Sequence, residues 1–492
     1  MGVLLNTQVV SSEETSTETF GMKNFGTAAL NDKRRTDRLV RVADALSRRP
    51  GGSLPEKLVG PGELDGLYHL MSCPSVTHES VLAPHRRQTL QKLAAHKGYV
   101  LILHDTTELD FTTHPSLTDR GPIGNGSHQG WLCHNALAVD PLTREVLGIA
   151  GQILHCRAQP PARESTAAKR GREDRESRLW VWGTQHLPSD RKIVDVCDRG
   201  ADAFEFLEHE VNSGRTFVVR SARDRSVLPD HAGPAEKCLL HAHARRLAPS
   251  GTWTLDIPAA RIERNIKSGK NRNSKKVIEN RKRRQAVLQV SSAAVRVCAP
   301  QQKRGEHGGE PLLLWVVRVW EPNPPEGVEG LEWMLLTNHS ASTFDAAQLV
   351  KNWYECRWIV EEFHKSQKTG CNIEDPQFNT SDRLHPMIAL QSVVALTLLN
   401  LRELSRREDA RIRPATDVVS LESVETLSAW RHQELRPNWT VHEFCLALAR
   451  LGGHRNRTGD SHPGWIVLWK GWSRLQAMLE GARAQRIINK CA

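Results

Sequence analysis

The chain has no long uninterrupted hydrophobic run. Its most apolar segment, residues 387–401, is interrupted by Gln391, Ser392 and Asn400, which predicts a buried core helix and not a membrane span. Near the start, the apolar residues 3–5 are too few for the core of a signal sequence, and a polar tract follows them. We therefore expect a cytoplasmic protein.

Cysteine pairs with metal-ligand or redox spacing are also missing. The ten cysteines are scattered and none forms a Cys-x-x-Cys pair, a pattern typical of reduced thiols in a cytosolic protein. Cys238, His241 and His243 lie close in sequence but have no fourth ligand at a suitable spacing. Zinc is therefore not expected there.

Acidic residues are too few to balance the basic ones. The 492 residues include 67 Lys and Arg against 56 Asp and Glu, which gives a formal charge of +11 and a pI near 9.3. Such a surface favours a polyanion, most commonly nucleic acid. An anionic membrane surface is the competing partner, but the sequence has no basic amphipathic anchor or lipidation motif. The length predicts two to four domains.

The first 95 residues predict a small helical domain that follows a loose tail of about 20 residues. One helix is expected from Asn31 or Asp32, with an apolar face, and it ends at Pro50. A second helix is expected over residues 77–96. Basic side chains crowd the first helix, which favours a helix that contacts DNA phosphates; these are Arg34, Arg35, Arg38 and Arg41.

Residues 96–220 predict a mixed α/β sheet. An apolar strand over 99–103 ends at His104 and Asp105, and two strands over 131–139 and 146–154 flank a turn as a hairpin. A further strand over 192–197 ends at Asp198, a helix follows, and residues 216–220 form another strand. The sheet resumes at residues 334–337.

Residues 221–332 predict short β-strands that interrupt the sheet domain, over 253–257, 286–290, 294–298 and 312–320. Within them, residues 264–284 contain ten Lys and Arg against the single Glu279. A mobile solvated loop is one interpretation of so basic a stretch, and neutralisation by a polyanion is the favoured one. After about residue 410 the chain is expected to be helical, with Trp465, Trp469 and Trp472 on one face, for core packing or self-association.

The most informative stretch is residues 354–370. If it is one helix, its 3.6-residue repeat gives an apolar stripe of Trp353, Val360 and Phe363. Tyr354 then lies at the edge of a polar stripe made of Arg357, Glu361, His364 and Lys368. One carboxylate among cations fits a metal-binding acid whose neighbours bind phosphates. The alternative is a solvated face with ion pairs worth a few tenths of a kcal/mol each.

Two other carboxylates favour the metal site. Asp105 and Asp198 each follow an apolar strand, at the sheet edge where α/β proteins bind ligands. Either alone is more often a turn or cap residue. Three carboxylates brought together repel one another unless a cation is present, and oxygen ligands indicate Mg²⁺ or Mn²⁺. Two such ions suit phosphodiester chemistry.

These residues resemble a known family. Asp105-Thr106-Thr107, then Asp198-Arg199-Gly200-Ala201-Asp202, then Tyr354-x₂-Arg357-x₃-Glu361-x₆-Lys368 are similar to motifs of bacterial DDE transposases, in the insertion-sequence-four family with its Y-R-E-K motif. The resemblance extends over nearly the whole chain, from residues 29–39 to residues 464–472.

The resemblance implies an RNase H-like mixed-sheet core (residues 96–220 and 333–410) in which Asp105, Asp198 and Glu361 bind two Mg²⁺ ions, with Mn²⁺ as a substitute. It also implies an N-terminal helical domain (1–95) that recognises transposon ends, a β-rich insertion (221–332) and a C-terminal helical dimerisation region (411–492). DNA contacts are implied for Arg220, Tyr354, Arg357, Lys365 and Lys368, and for Trp333, which would stack on a flipped base.

The implied reaction is cut-and-paste transposition of double-stranded DNA by a homodimer, in the bacterial cytoplasm at the nucleoid. Three positions depart from the family pattern: Gly200 replaces a frequent Glu, Gln367 a frequent aromatic residue, and His69 an arginine. The alternatives are an inactive DNA-binding inhibitor of transposition and a metal-dependent nuclease of the same fold.

Overall fold

The computed structural model describes residues 18–124, 127–158, 165, 168, 171–230, 236–257, 260–267, 274–300, 310–457 and 462–491. The predicted N-terminal tail lies almost entirely outside the described residues. Chain order begins with five helices: α1 Phe20–Phe25, α2 Lys33–Arg48, α3 Leu54–Lys57, α4 Glu63–Met71 and α5 His78–Ala95.

The two predicted N-terminal helices are confirmed as α2 and α5. Asp32 caps α2 by accepting a hydrogen bond from the backbone N–H of Arg34 at 2.9 Å, and Thr77 caps α5. The apolar face of α2 is buried at Leu39, Val42 and Leu46. Helices α1, α3 and α4 are too short for their periodicity to predict them.

A twelve-stranded sheet forms the centre of the fold, and the sequence predicts its mixed character but not its size. Its first six strands are β1 Val100–Asp110, β2 Gly121–Ile123, β3 His128–Val139, β4 Val146–His155, β5 Ile193–Cys197 and β6 Thr216–Arg220. Strands β1, β5 and β6 are parallel neighbours, and β3 pairs antiparallel with both β1 and β4. Helices α6 Leu179–Gln185 and α7 Phe204–Asn212 precede and follow β5.

Strand β1 is longer than predicted, and the expectation that it ends before Asp105 is wrong. The strand continues to Asp110 because β3 supplies hydrogen-bonding partners along its whole length, with Asp105 opposite Asn135. Pairing with β5 stops at Leu103. Asp105 therefore lies just beyond the parallel part of the sheet, and Asp198 lies at the end of β5 as predicted.

The β-strands of residues 221–332 extend the same sheet. They are β7 Ser226–Pro229, β8 Cys238–Leu239, β9 Gly251–Ile257, β12 Arg284–Val297 and β13 Leu312–Trp320, with α8 Leu240–Arg246 between β8 and β9. The strand β14 Glu332–Thr337 joins β13 to β6. The two strands predicted over 286–298 are one continuous strand, β12, since it pairs with β9 along one part and with β13 along another.

The basic stretch has regular backbone pairing where it is described. Strands β10 Ala260–Lys267 and β11 Ser274–Arg281 form a separate two-stranded antiparallel sheet. Residues 268–273 lie outside the described residues. A loop is therefore the wrong interpretation for the described part of this stretch.

The remaining helices are α9 Phe344–Glu355, α10 Trp358–Lys365, α11 Ser381–Leu404, α12 Leu421–His432, α13 Val441–Leu451 and α14 Trp465–Cys491. Helix α11 is long and apolar enough to cross a membrane by length and composition, but 82% of its apolar window is buried in the fold. This confirms the predicted core helix. On α14, Trp465, Trp469 and Trp472 pack towards the core, as core packing predicts.

Candidate active site

The segment over residues 354–370 is not one helix. Helix α9 ends at Glu355, and the backbone N–H groups of Cys356 and Arg357 bond three residues back, to Trp353 at 3.2 Å and Tyr354 at 3.1 Å. This tightening ends α9, and α10 begins at Trp358. A π-helical turn, Ser366–Gly370, follows α10. Tyr354 thus lies on a different helix from Glu361, which corrects the single-helix prediction.

The apolar stripe nevertheless lies where the sequence places it. Trp353, Val360 and Phe363 are all 0% exposed. Burial of this stripe directs the adjacent side of the segment towards Asp105, so that Arg357 and His364 come close to that acid.

Arg357 joins two of the three predicted acids. Its Nη1 atom is 3.4 Å from Oδ2 of Asp105 and its Nη2 atom is 2.5 Å from Oε1 of Glu361. The residue is 7% exposed, so water screens these contacts weakly. The Nε atom of Arg357 is buried and has no hydrogen-bond partner among the described residues.

Asp198 acts on Asp105 through its charge. Burial raises the pKa of Asp105 to about 7, and the neighbouring carboxylates of Asp198 and Glu361 add to this rise. Arg357 and the backbone N–H of Thr106 oppose it. The three acids therefore interact at one edge of the sheet, where the accumulated negative charge favours a proton or a cation.

A tight turn holds Asp198. Its Oδ1 atom accepts a hydrogen bond from the backbone N–H of Gly200 at 2.7 Å. A Cβ atom on Gly200 would be 2.8 Å from the Trp180 ring. A side chain at position 200 would therefore displace either the tryptophan or the turn.

The donor set suits a hard divalent cation, because all its ligand atoms are carboxylate oxygens. Across the described ranges, no three or more His, Cys, Asp or Glu side chains are arranged to hold a metal ion. Two of the acids instead share Arg357. A metal would therefore require Arg357 to move away from Asp105 or Glu361.

A second group of predicted residues lies beside the acids. The Trp333 and Tyr354 rings are 5.6 Å apart, edge to face at 63°, and Arg357 lies 5.8 Å from the centre of the Tyr354 ring. Burial raises the pKa of the Tyr354 hydroxyl, against the opposing charges of Arg357 and Arg220. Arg220 also donates to the carbonyl of Glu332 at 3.2 Å. The structure therefore brings Arg220, Trp333 and Tyr354 together with Arg357.

The two predicted lysines are ion-paired away from the acids. Lys365 pairs with Glu362 at 2.8 Å and is largely exposed, and Lys368 pairs with Glu374 at 3.2 Å. His364 is 4.0 Å from Asp105, and burial lowers its pKa to about 3, helped by Lys368 and Arg357. His364 is therefore neutral and adds no positive charge beside Asp105.

A buried polar chain that was not predicted from the sequence lies beneath this edge. His104 Nε2 lies 2.8 Å from Asp195, its Nδ1 lies 3.3 Å from His134, and His134 contacts the Thr106 hydroxyl at 2.9 Å. Arg215 donates a hydrogen bond to Asp195 at 2.7 Å and so forms the last member of the chain. No local motif could predict it, because its members come from strands far apart in sequence.

Trp358 and Asp202 were also missed. The Trp358 indole is 52% exposed beside Arg357, whose guanidinium lies 5.3 Å from the ring centre. Asp202 is 1% exposed and accepts hydrogen bonds from the backbone N–H groups of Ala222 and Arg223. Asp202 therefore shapes the loop after β6, and its position near Asp198 in the sequence was the available indication.

A basic groove of about 420 Å³ lies on the N-terminal helices, away from the acids. Arg34 and Arg41 are exposed, whereas Arg35 donates to the carbonyl of Leu30 at 3.1 Å and to the Ser75 hydroxyl at 2.8 Å. The predicted arginines and His69 meet in this groove, which is lined by Arg34, Arg35, Asp37, Arg38, Arg41, Gly66, His69, Leu70 and Cys73. Its four arginines are the kind of side chain that contacts DNA phosphates.

The mixed sheet, the acidic edge and the separate basic groove are together typical of a protein that binds and processes nucleic acid. The model of the transposase DNA-binding family matches residues 17–76, which include the groove. The match supports a DNA-binding transposase, with DNA as its partner.

Proposed function

We propose that the chain is a cut-and-paste DNA transposase of the DDE type, in the insertion-sequence-four family and similar to the transposon-five transposase. It would act in the bacterial cytoplasm as a homodimer that binds the two inverted repeats of its element. The observation that carries this proposal is that Arg357 contacts both Asp105 and Glu361, while the charge of Asp198 acts on the Asp105 carboxylate. The transposase family match at residues 17–76 supports it independently.

Asp105, Asp198 and Glu361 would hold two Mg²⁺ ions, or Mn²⁺ as a substitute. When bound, these ions supply activation of a water or a 3′-hydroxyl and stabilisation of the leaving oxygen. The raised pKa of Asp105 fits this role, because a bound cation would offset both the cost of burying its charge and the repulsion from Asp198 and Glu361. Arg357 would exchange its carboxylate contacts for a DNA phosphate, which a guanidinium binds through two parallel hydrogen bonds.

The residues beside the acids would hold the DNA end. Trp333 is half-buried on the Tyr354 ring and would stack on a base turned out of the helix while a hairpin forms. Arg220, Lys365 and Lys368 would neutralise backbone phosphates. The proposed sequence of events is nicking, hairpin formation on the element end, resolution of the hairpin and joining to target DNA.

The test uses the full-length protein, Mg²⁺ and duplex DNA that carries the element's own ends, found by sequencing the DNA on both sides of the coding region. Hairpin-ended products are expected. Binding to the ends without any cleavage would instead indicate an inactive inhibitor of transposition. Nicks that do not depend on the end sequence would indicate a nuclease. Either of these two results would overturn the proposal.

A further inference from the structure

A second buried polar network lies on the same face of the sheet as Asp105. Register places Asp105 opposite Asn135, and Asn135 opposite Gln152. Paired residues of antiparallel strands point to the same face, so these three side chains form one row across β1, β3 and β4. The row leads from the acidic edge into the protein interior.

Gln367 connects this row to the helix that carries Glu361. It lies in the π-helical turn after α10, is 0% exposed, and donates from Nε2 to the Ser392 hydroxyl at 2.8 Å. Its Oε1 atom accepts from Asn135 at 3.5 Å. Single π-turns inside helices often occur at functional sites. Here the turn brings the amide between α11 and the strand next to Asp105.

Each polar side-chain atom of Asn135, Gln152, Gln367 and Ser392 has at least one hydrogen-bond partner. Gln152 donates from Nε2 to Asn135 at 2.7 Å and to Ser392 at 2.9 Å, and Ser392 donates to the carbonyl of Ile388 at 2.7 Å. Because Gln152 uses its nitrogen as the donor, its Oε1 atom accepts, and His78 Nε2 at 2.9 Å must carry the proton. The donor and acceptor in each of these contacts are therefore assigned.

We infer that Gln367 is a positioning residue that fixes α10, and with it Glu361 and Arg357, against the Asp105 strand. This inference rests on the proposed function of those acids. Apolar packing alone would leave α10 free to slide or rotate slightly, whereas a fully satisfied buried network specifies one arrangement. Glu361 lies six residues before Gln367 on the same continuous segment, and Lys368 lies directly after it, so a shift of the turn would move both.

The network also contacts the N-terminal helices, through His78 at the start of α5. The network therefore connects two parts of the protein. One part is the strand and helix that carry the acids, and the other is the helical region that includes the DNA-binding match. Positioning of the acids is the property that the experiment isolates.

The test compares Gln367→Met and Ser392→Ala with a matched control, Ser428→Ala. Ser392 and Ser428 are both 0% exposed helical serines that donate to a backbone carbonyl, at 2.7 Å and 2.9 Å. Ser428 lies on α12, outside the network. Measurements are end-DNA affinity, thermal unfolding, and the nicking rate at saturating DNA, well below the unfolding temperature.

We expect the two network variants to slow nicking at saturating DNA by about 10- to 100-fold, as for a misplaced reacting group, with end-DNA affinity unchanged. Ser428→Ala should nick at the wild-type rate even if it unfolds at a lower temperature. The double variant Gln367→Met/Ser392→Ala should be slowed by less than the product of the two single effects, since both changes remove the Gln367–Ser392 hydrogen bond.

Wild-type nicking rates in Gln367→Met would overturn the positioning role and leave the proposed function intact. Equal slowing by Ser428→Ala would also overturn it, because the effect would then be general destabilisation. If Gln367→Met fails to fold, Ser392→Ala alone decides. A wild-type protein that binds ends and never nicks would overturn the proposed function and the positioning role together.

Discussion

Arg357 donates from Nη1 to the carboxylate of Asp105 at 3.4 Å, although the two residues are 252 positions apart in the chain. The same guanidinium contacts Glu361. An arginine between two acids holds them near each other while no cation is bound, because the positive charge offsets their repulsion. The contact also connects the sheet to α10, so it is the point at which the fold assembles the candidate site.

The first prediction concerns the acids. Asp105→Ala, Asp198→Ala and Glu361→Ala should each abolish nicking and leave binding to the element's ends within about twofold, since the basic groove is separate. Glu362→Gln is the matched control, because Glu362 neighbours Glu361 but pairs with Lys365. Gel assays of binding and nicking provide the measurement. Normal nicking by any of the three alanine variants would show that the site is misassigned.

The second prediction concerns pH in the absence of metal. The pKa of Asp105 is about 7 in the folded protein against an ordinary value of 3.8, chiefly because of burial. Ionisation of Asp105 therefore destabilises the folded protein. This destabilisation is absent below pH 4, grows between pH 4 and 7, and is complete above pH 7. Asp105→Asn should thus be more stable than wild type at pH 8, by on the order of 4 kcal/mol, with a smaller difference at pH 5.

Denaturant unfolding in EDTA at the two pH values measures this difference. Addition of Mg²⁺ at pH 8 should then stabilise the wild type and not Asp105→Asn, because a ligand that binds the folded state raises its stability. A stability difference that is the same at pH 5 and pH 8 would contradict the raised pKa.

Short-range patterns predicted most of the fold. Strand β6 has the predicted bounds, Thr216–Arg220, because an apolar run with β-branched residues is bounded there by polar turns. Strand β1 was predicted too short. After Leu103 it becomes polar, and its continuation depends on pairing with β3, which hydrophobicity along one segment does not reveal.

The same limit applies to the candidate site. Arg357 and Glu361 form an ion pair, as in the alternative interpretation of this stretch, because residues four apart lie on one helix face; the face is buried at Arg357 and not solvated. The break between helices α9 and α10 at Cys356 contains no glycine or proline that would predict it. Gln367 was seen only as a departure from a family pattern, since its partners Asn135 and Ser392 come from distant segments.

The third prediction concerns Trp333. Trp333→Ala should slow hairpin formation by about 10- to 100-fold, the value of one lost base stack, and leave the first nick close to the wild-type rate. Trp333→Phe should retain part of the hairpin rate because it keeps an aromatic face. Trp320→Ala is the control, since Trp320 lies on the neighbouring strand and contacts Arg318. Denaturing gels that separate nicked from hairpin-ended DNA measure both steps, and equal loss of both would contradict base stacking.

The fourth prediction separates two adjacent arginines of α2. Arg34 is exposed in the basic groove, so Arg34→Ala should weaken end binding and reduce the slope of log affinity against log salt by about 1, with no change in stability. Arg35→Ala should instead destabilise the protein by about 1–2 kcal/mol, because Leu30 and Ser75 each lose a hydrogen bond from its guanidinium.

Fluorescence anisotropy of end DNA at several salt concentrations, together with denaturant unfolding, distinguishes the two effects. Arg35→Lys should recover little of the lost stability, since one ammonium group does not reproduce a planar guanidinium that holds two acceptors. If Arg34→Ala binds with the wild-type affinity and salt dependence, the groove on α2 and α4 is not the surface that contacts the DNA backbone. Arg34 is then only a solvated residue on the surface of the helix.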